Sequence, residues 1–145
     1  MTAYADTGFI CSLHAPDAHS LRVAKWLKQQ KQPLPFTGLH RLELRNALRL
    51  RVFRKEITTD QRELSIQAML SDLATGVFCH ADPPWTEVLL EAERLSAGHS
   101  EFLGTRSLDI LHVASALVLG AGQFITFDSR QSSLATAAGL DCIIP

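Results

Sequence analysis

Five short apolar runs, set apart by longer stretches of helical period, limit what this chain can fold into. The runs are "TAYADT" (2–7), "LPFT" (34–37), "VFCH" (77–80), "QFITF" (123–127) and "DCII" (141–144). Helical patterning covers 17–30, 39–55, 58–76, the stretch opened by Pro83-Pro84, 106–117 and 129–138. The 39–55 segment is the plainest, with Leu44, Leu48 and Val52 recurring every fourth residue and Ala47 beside them. Asp17 and Thr58 or Thr59 read as helix N-caps, and Gly76 and Gly120 as helix stops. Strands alternating with helices need crossover connections and give parallel pairing. The expected fold class is therefore α/β, a three-layer α/β/α arrangement around a central, mainly parallel sheet of about five strands.

A chain of 145 residues is about one domain, and no linker or repeat divides it, so 1–145 reads as a single domain. At this length roughly two-thirds of the unfolded surface can be buried, and 46% hydrophobic residues suffice for a core. The N-terminal "MTAYADTGFICSL" lacks a basic segment and is interrupted by Asp6, unlike a signal peptide. "VASALVLGAG" falls short of the ~20 residues that span a bilayer. The expectation is a soluble cytoplasmic protein with no membrane partner. Three widely spaced cysteines without a CxxC argue against disulfides and zinc, and read as small buried hydrophobes. Charge is segregated: residues 1–62 hold 11 of the 14 Lys and Arg but 5 of the 15 Asp and Glu. Such asymmetry suits a region facing a polyanion, unless folding interleaves the two parts.

Acids mark the candidate site. Asp6 closes the first apolar run and Asp128 the fourth. Ligands in open α/β folds bind at the carboxyl ends of strands, so both acids belong at one edge. Asp109 opens the helix that feeds the fourth run, and His112 follows one turn on in an otherwise apolar stretch. Thr7 and Thr126 supply hydroxyls beside Asp6 and Asp128. Glu43 and Asn46 sit one turn apart on the most basic helix, which also carries Arg41, Arg45 and Arg49. Two carboxylates ~4 Å apart repel by about 4 kcal/mol at an effective dielectric of 20, which a bound cation offsets. Oxygen ligands without Cys or paired His suit Mg²⁺ or Mn²⁺. Each acid also has a plainer role. Asp6 can end a strand, Asp109 can answer a helix dipole, Asp128 can cap a helix, and Glu43 can pair with arginine. His112 can be a satisfied core histidine.

In "ADTGFICSL", "LELRNALR" (42–49) and "RSLDILHVASALVLGAGQFITFDSRQSSLATAAGL" (106–140), the chain resembles PIN-domain proteins. Within that family it looks most like the VapC group, the toxin ribonucleases of type II toxin–antitoxin pairs. The resemblance spans essentially the whole chain, and its C-terminal block is the most specific part. It implies a five-stranded parallel sheet and Mg²⁺- or Mn²⁺-dependent endoribonuclease activity. It also implies a homodimer held inactive by a small antitoxin. Asp6, Glu43, Asp109 and Asp128 match the family's catalytic acids, with Asp6, Asp109 and Asp128 as metal ligands. Thr7, Asn46, His112 and Thr126 match supporting positions. Thr7 stands where the family often has serine, and a hydroxyl serves either way.

The reaction so implied is hydrolysis of an RNA phosphodiester to a 5′-phosphate and a 3′-hydroxyl. Arg41, Arg45 and Arg49 are the candidate contacts to the RNA backbone. A phosphoacceptor module also clusters acids around Mg²⁺, but it needs a lysine at a late strand end, and all four lysines lie before residue 56. Two rivals remain, a non-catalytic PIN-like binding or regulatory protein and a structure-specific DNA nuclease.

Overall fold

The structure, a computed structural model, describes residues 2–145. Its strands are β1 (Ala3–Ala5), β2 (Leu34–Phe36), β3 (Phe78–His80), β4 (Gln123–Ile125) and β5 (Asp141–Ile143). Its helices are α1 (Thr7–His14), α2 (Ser20–Leu27), α3 (Gly38–Phe53), α4 (Thr59–Ala74), α5 (Trp85–Leu95), α6 (Glu101–Leu103), α7 (Ser107–Val118) and α8 (Ser129–Ala137). A π-helical turn, Ser96–Ser100, joins α5 to α6. The residues gather into two compact units, one of residues 2–8 with 82–145 and one of residues 9–81.

In the first unit β1, β4 and β5 form a parallel sheet in the order β1-β4-β5, with Tyr4 opposite Phe124 and Phe124 opposite Cys142. The Tyr4 and Phe124 rings stack at 5.7 Å between centroids, and neither is exposed. Val88 and Leu95 of α5, Val113 and Ala114 of α7 and Leu134 of α8 complete this core. Helix α7 packs against α5 and is buried from His112 through Ala116. This explains why its sequence shows no apolar stripe, since a helix covered on all sides has no polar face. Gly120, at φ 74°, ends the helix in a left-handed turn, and the Ala121 amide donates back to the Ala116 carbonyl. That turn feeds β4 and so positions the acids that follow it.

In the second unit β2 and β3 pair in parallel, with Leu34 opposite Phe78 and Phe36 opposite His80. Thr37 caps α3: its hydroxyl accepts from the His40 amide, and its own amide donates to His40 Nδ1 at 2.9 Å. Histidine thus takes the place of the usual Glu or Gln of a capping box. Leu44 and Leu48 are fully buried, and α3 packs on α4. Thr58 and Gln61 form the corresponding box on α4. His14 ties α1 to α4, reaching Asp72 Oδ2 at 2.7 Å while its Nδ1 lies 2.9 Å from the Ile10 carbonyl.

All five expected strands form and all pairs are parallel, but hydrogen bonding divides them into three plus two rather than one continuous sheet. Three further differences have local causes. The first run ends at Ala5 and α1 begins at Thr7, a helix hidden from periodicity because Phe9 to Ser12 are all buried. Helix α2 starts at Ser20, not after Asp17. Asp17 holds the turn before it, accepting from the Ser12 hydroxyl, the His19 amide and the Ser20 hydroxyl. Burial pushes the Asp17 carboxyl up, but those hydrogen bonds outweigh it and hold the group below the usual carboxylate range. Cys11 is the buried hydrophobe expected, its thiol pushed up by burial against the pull of Arg51. Cys79 is exposed instead, on β3.

Candidate active site at the strand ends

The β1–β4 register sets the site. The Asp6 amide donates to the Ile125 carbonyl at 3.1 Å, extending the ladder one residue beyond β1. With Ala5 opposite Ile125, Asp6 falls beside Thr126 at the carboxyl ends of two adjacent parallel strands. Asp6 is 6% exposed, and its Oδ2 accepts a hydrogen bond from the buried Thr126 hydroxyl. The same hydroxyl oxygen accepts from the Asp128 amide at 2.9 Å. Thr126 therefore joins the two strand-end acids.

Asp128 is the N-cap of α8, its Oδ1 accepting from the Gln131 amide at 2.9 Å. This is the plainer role foreseen for it, and it leaves Oδ2 outside that bond. Asp109 lies in the first turn of α7, with Arg106 Nε 3.2 Å from its Oδ2. That arginine is 70% exposed, so the pair is weak and readily exchanged for another cation. The Asp109 carbonyl accepts from Gln131 Nε2 at 3.4 Å. A chain of contacts thus runs from Asp6 through Thr126 to Asp128 and Gln131, and on to Asp109.

Thr7 and His112 meet behind Asp6. Thr7 Oγ1 lies 3.1 Å from His112 Nε2, and the Tyr4 hydroxyl lies 2.8 Å from Nδ1. All three side chains are buried. His112 is thus both a satisfied core histidine and the link from α7 to the residue after Asp6. No three His, Cys, Asp or Glu side chains among the described residues stand close enough together to hold one ion. The structure brings Asp6, Asp109 and Asp128 into one network without drawing them into such a cluster.

The basic residues belong to α3, in the second unit. Gly38, Arg41, Leu42, Arg45, Asn46 and Arg49 line a groove of about 320 Å³. Arg41, Arg45 and Arg49 recur every fourth residue, about 6 Å apart along the helix. Like charges at that spacing destabilise a helix by ~0.2–0.5 kcal/mol per pair. None of the three forms an ion pair among the described residues, and Arg45 Nε is buried without a hydrogen-bond partner. Glu43, on the same helix, is half-buried.

Sequence reasoning missed two residues here. Tyr4 read only as part of a strand. Gln131 stands three residues after Asp128, the capping-box spacing, which predicts an exposed cap and not a buried link.

A family model described as "PIN domain" matches residues 3–137. Among solved structures, the chain is similar to the crystal structure of FitAcB from Neisseria gonorrhoeae, at 16% identity and a TM-score of 0.66, over 99% of this chain and 97% of that one. It is also similar to VapBC2 from Rickettsia felis, solved bound to a DNA fragment from their promoter, at 14% identity and a TM-score of 0.67, over 99% and 98%. No curated protein matches by sequence. Among the described residues no helix is long and apolar enough to cross a membrane.

Proposed function

Because the chain belongs to the PIN-domain family, we propose that it is a Mg²⁺- or Mn²⁺-dependent endoribonuclease, the toxin of a toxin–antitoxin pair acting in the cytoplasm. The observation that carries the reading is the buried Asp6 carboxylate, joined through Thr126 to Asp128 at the ends of β1 and β4. A charge kept out of water there costs several kcal/mol unless a cation or hydrogen bonds answer it.

The donor set fits a hard dication, since every candidate ligand is an oxygen. Mg²⁺ keeps several waters and is usually bound by one or two carboxylates plus substrate phosphates, so three acids need not close around it. Asp6, Asp109 and Asp128 are the residues to hold it. When bound, such an ion lowers the pKa of a water and offsets charge developing on the phosphate. Thr126 fixes the Asp6 rotamer by donating to Oδ2, and His112 fixes Thr7. Glu43, the fourth acid by resemblance, takes the proton of the attacking water or helps to hold an ion, with Asn46 supporting it. Water adds to phosphorus and the bond to O3′ breaks, leaving a 5′-phosphate and a 3′-hydroxyl.

The decisive test uses the purified chain, total RNA, and either Mg²⁺ or Mn²⁺. RNA should be cut, and cutting should stop on addition of EDTA. Cleavage that persists in chelator overturns the metal assignment, and cleavage of duplex DNA alone overturns the substrate.

Arg41, Arg45 and Arg49 serve as contacts to the RNA backbone. Their lack of carboxylate partners supports this, as does the cost of setting like charges side by side. Arg45→Ala should reduce the slope of log Kd against log salt for single-stranded RNA by about 0.7, with kcat nearly unchanged. An unaltered slope places the backbone elsewhere. The partners proposed are a cognate antitoxin and a second copy of the chain. Apolar side chains left in water, such as Phe53 at 83% exposure on α3, support a face that a protein covers.

A further inference from the structure

We propose that Gln131 is a positioning residue of the acidic site, its buried amide setting where the first turn of α7 stands relative to Asp128 and Thr126. The inference rests on the metal-dependent reading above and concerns a residue which that reading does not use.

Gln131 is 2% exposed, although it lies in the first turn of a helix that begins with the exposed Ser129 and Arg130. Glutamine is rarely buried so fully, and burying an amide costs free energy unless its groups find partners. Its partners all belong to the site. The main-chain amide donates to Asp128 Oδ1, which orients that carboxylate. Nε2 donates to the main-chain carbonyl of Asp109. Oε1 stands 3.5 Å from the Thr126 hydroxyl, the group that donates to Asp6. One side chain thus touches the backbone of one acid and the hydroxyl that orients another, and its own amide holds the third.

The side-chain contacts are long, at 3.4 and 3.5 Å, so the amide is a soft link and not a clamp. A soft link suits a site whose acids must close when an ion enters. The amide keeps α7 in register while the carboxylates move, and the second hydrogen on Nε2 is left for a ligand in the site. A glutamine that merely filled space would have no reason to contact three acid-bearing segments at once.

Gln131→Met is the direct test. It keeps the volume and removes both polar groups, and exchanging buried polar atoms for apolar ones of the same shape is nearly neutral for stability. The variant should bind Mn²⁺ about 10- to 100-fold more weakly, measured by titration calorimetry without RNA. Its kcat on RNA should fall by a similar factor, with KM little changed. Binding of Mn²⁺ at wild-type affinity overturns the proposal. A second measurement needs no variant. In ¹⁵N spectra of the wild-type chain, the Gln131 side-chain amide signals should shift on titration with Mg²⁺, and signals that stay fixed overturn the proposal. The two readings fail differently. A wild-type chain that binds no Mn²⁺ defeats the metal reading and this inference with it. A wild type that binds while Gln131→Met binds equally well defeats this inference alone.

Discussion

Asp6→Asn should cut RNA at least about a hundredfold more slowly than wild type in saturating Mg²⁺, the equivalent of ~3 kcal/mol of lost transition-state stabilisation. The substitution is nearly isosteric. Its carbonyl oxygen still accepts from Thr126, and its backbone amide still bonds Ile125, so the β1–β4 ladder is untouched. What disappears is a negative charge on a group that is 6% exposed. Metal-free Asp6→Asn should therefore melt no lower than metal-free wild type, because a neutral amide is cheaper to bury than a carboxylate. On adding Mn²⁺, wild type should gain several degrees, as binding to the native state alone adds stability, and the variant should gain almost nothing. The pattern of equal or higher apo stability, lost metal response and lost activity separates a ligand from a structural residue. Full activity in Asp6→Asn overturns the site. A large fall in apo stability makes Asp6 structural.

The parts of this site that could be read from the chain are those fixed by local rules. An acid at the end of an apolar run belongs at a strand's carboxyl end, so Asp6 and Asp128 could be placed from sequence. Asp109 could be placed at a helix start, because Arg106–Ser107–Leu108 precede an unbroken apolar helix. The contacts between them were not legible. Thr126 reaches Asp6 only because Ala5 pairs with Ile125, and a shift of one residue would turn its side chain to the other face of the sheet. Register is a property of the folded sheet, and no periodicity encodes it. Gln131 carries the same lesson, since its spacing from Asp128 announces a cap and only packing buries it. The fold divides along the same line. The strands and most helices announced themselves through composition, but α1 did not, because a short helix apolar on every side looks like any buried run. The grouping of five strands as three plus two depends on which backbones meet, which local pattern does not determine.

Phe124→Ala should cost about 3–5 kcal/mol of stability, a large share of the 5–15 kcal/mol that holds a typical domain together. The size of the effect follows from where the ring sits. Phe124 is fully buried in β4, the middle strand of its sheet, with ladder hydrogen bonds to β1 on one side and β5 on the other. A strand held at both edges cannot move in to fill the cavity, and the cost of a large-to-small change rises with the volume left empty. The ring is also one face of the Tyr4 stack, and the Tyr4 hydroxyl holds His112. Removing it frees Tyr4 to tilt and loosens the link that runs through His112 to Thr7. The melting temperature should fall by about 10 °C or more for a chain of this size. Below that lowered transition, Mn²⁺ affinity should fall as well, because the support behind Asp6 is gone. Phe102→Ala is the control, since that ring is 85% exposed and its loss should change stability by no more than about 0.5 kcal/mol. Should Phe124→Ala unfold within 1 kcal/mol of wild type, on the scale of a surface substitution, β4 is not the buried centre of its sheet. The placement of Asp128 and Thr126 at its end then loses its foundation.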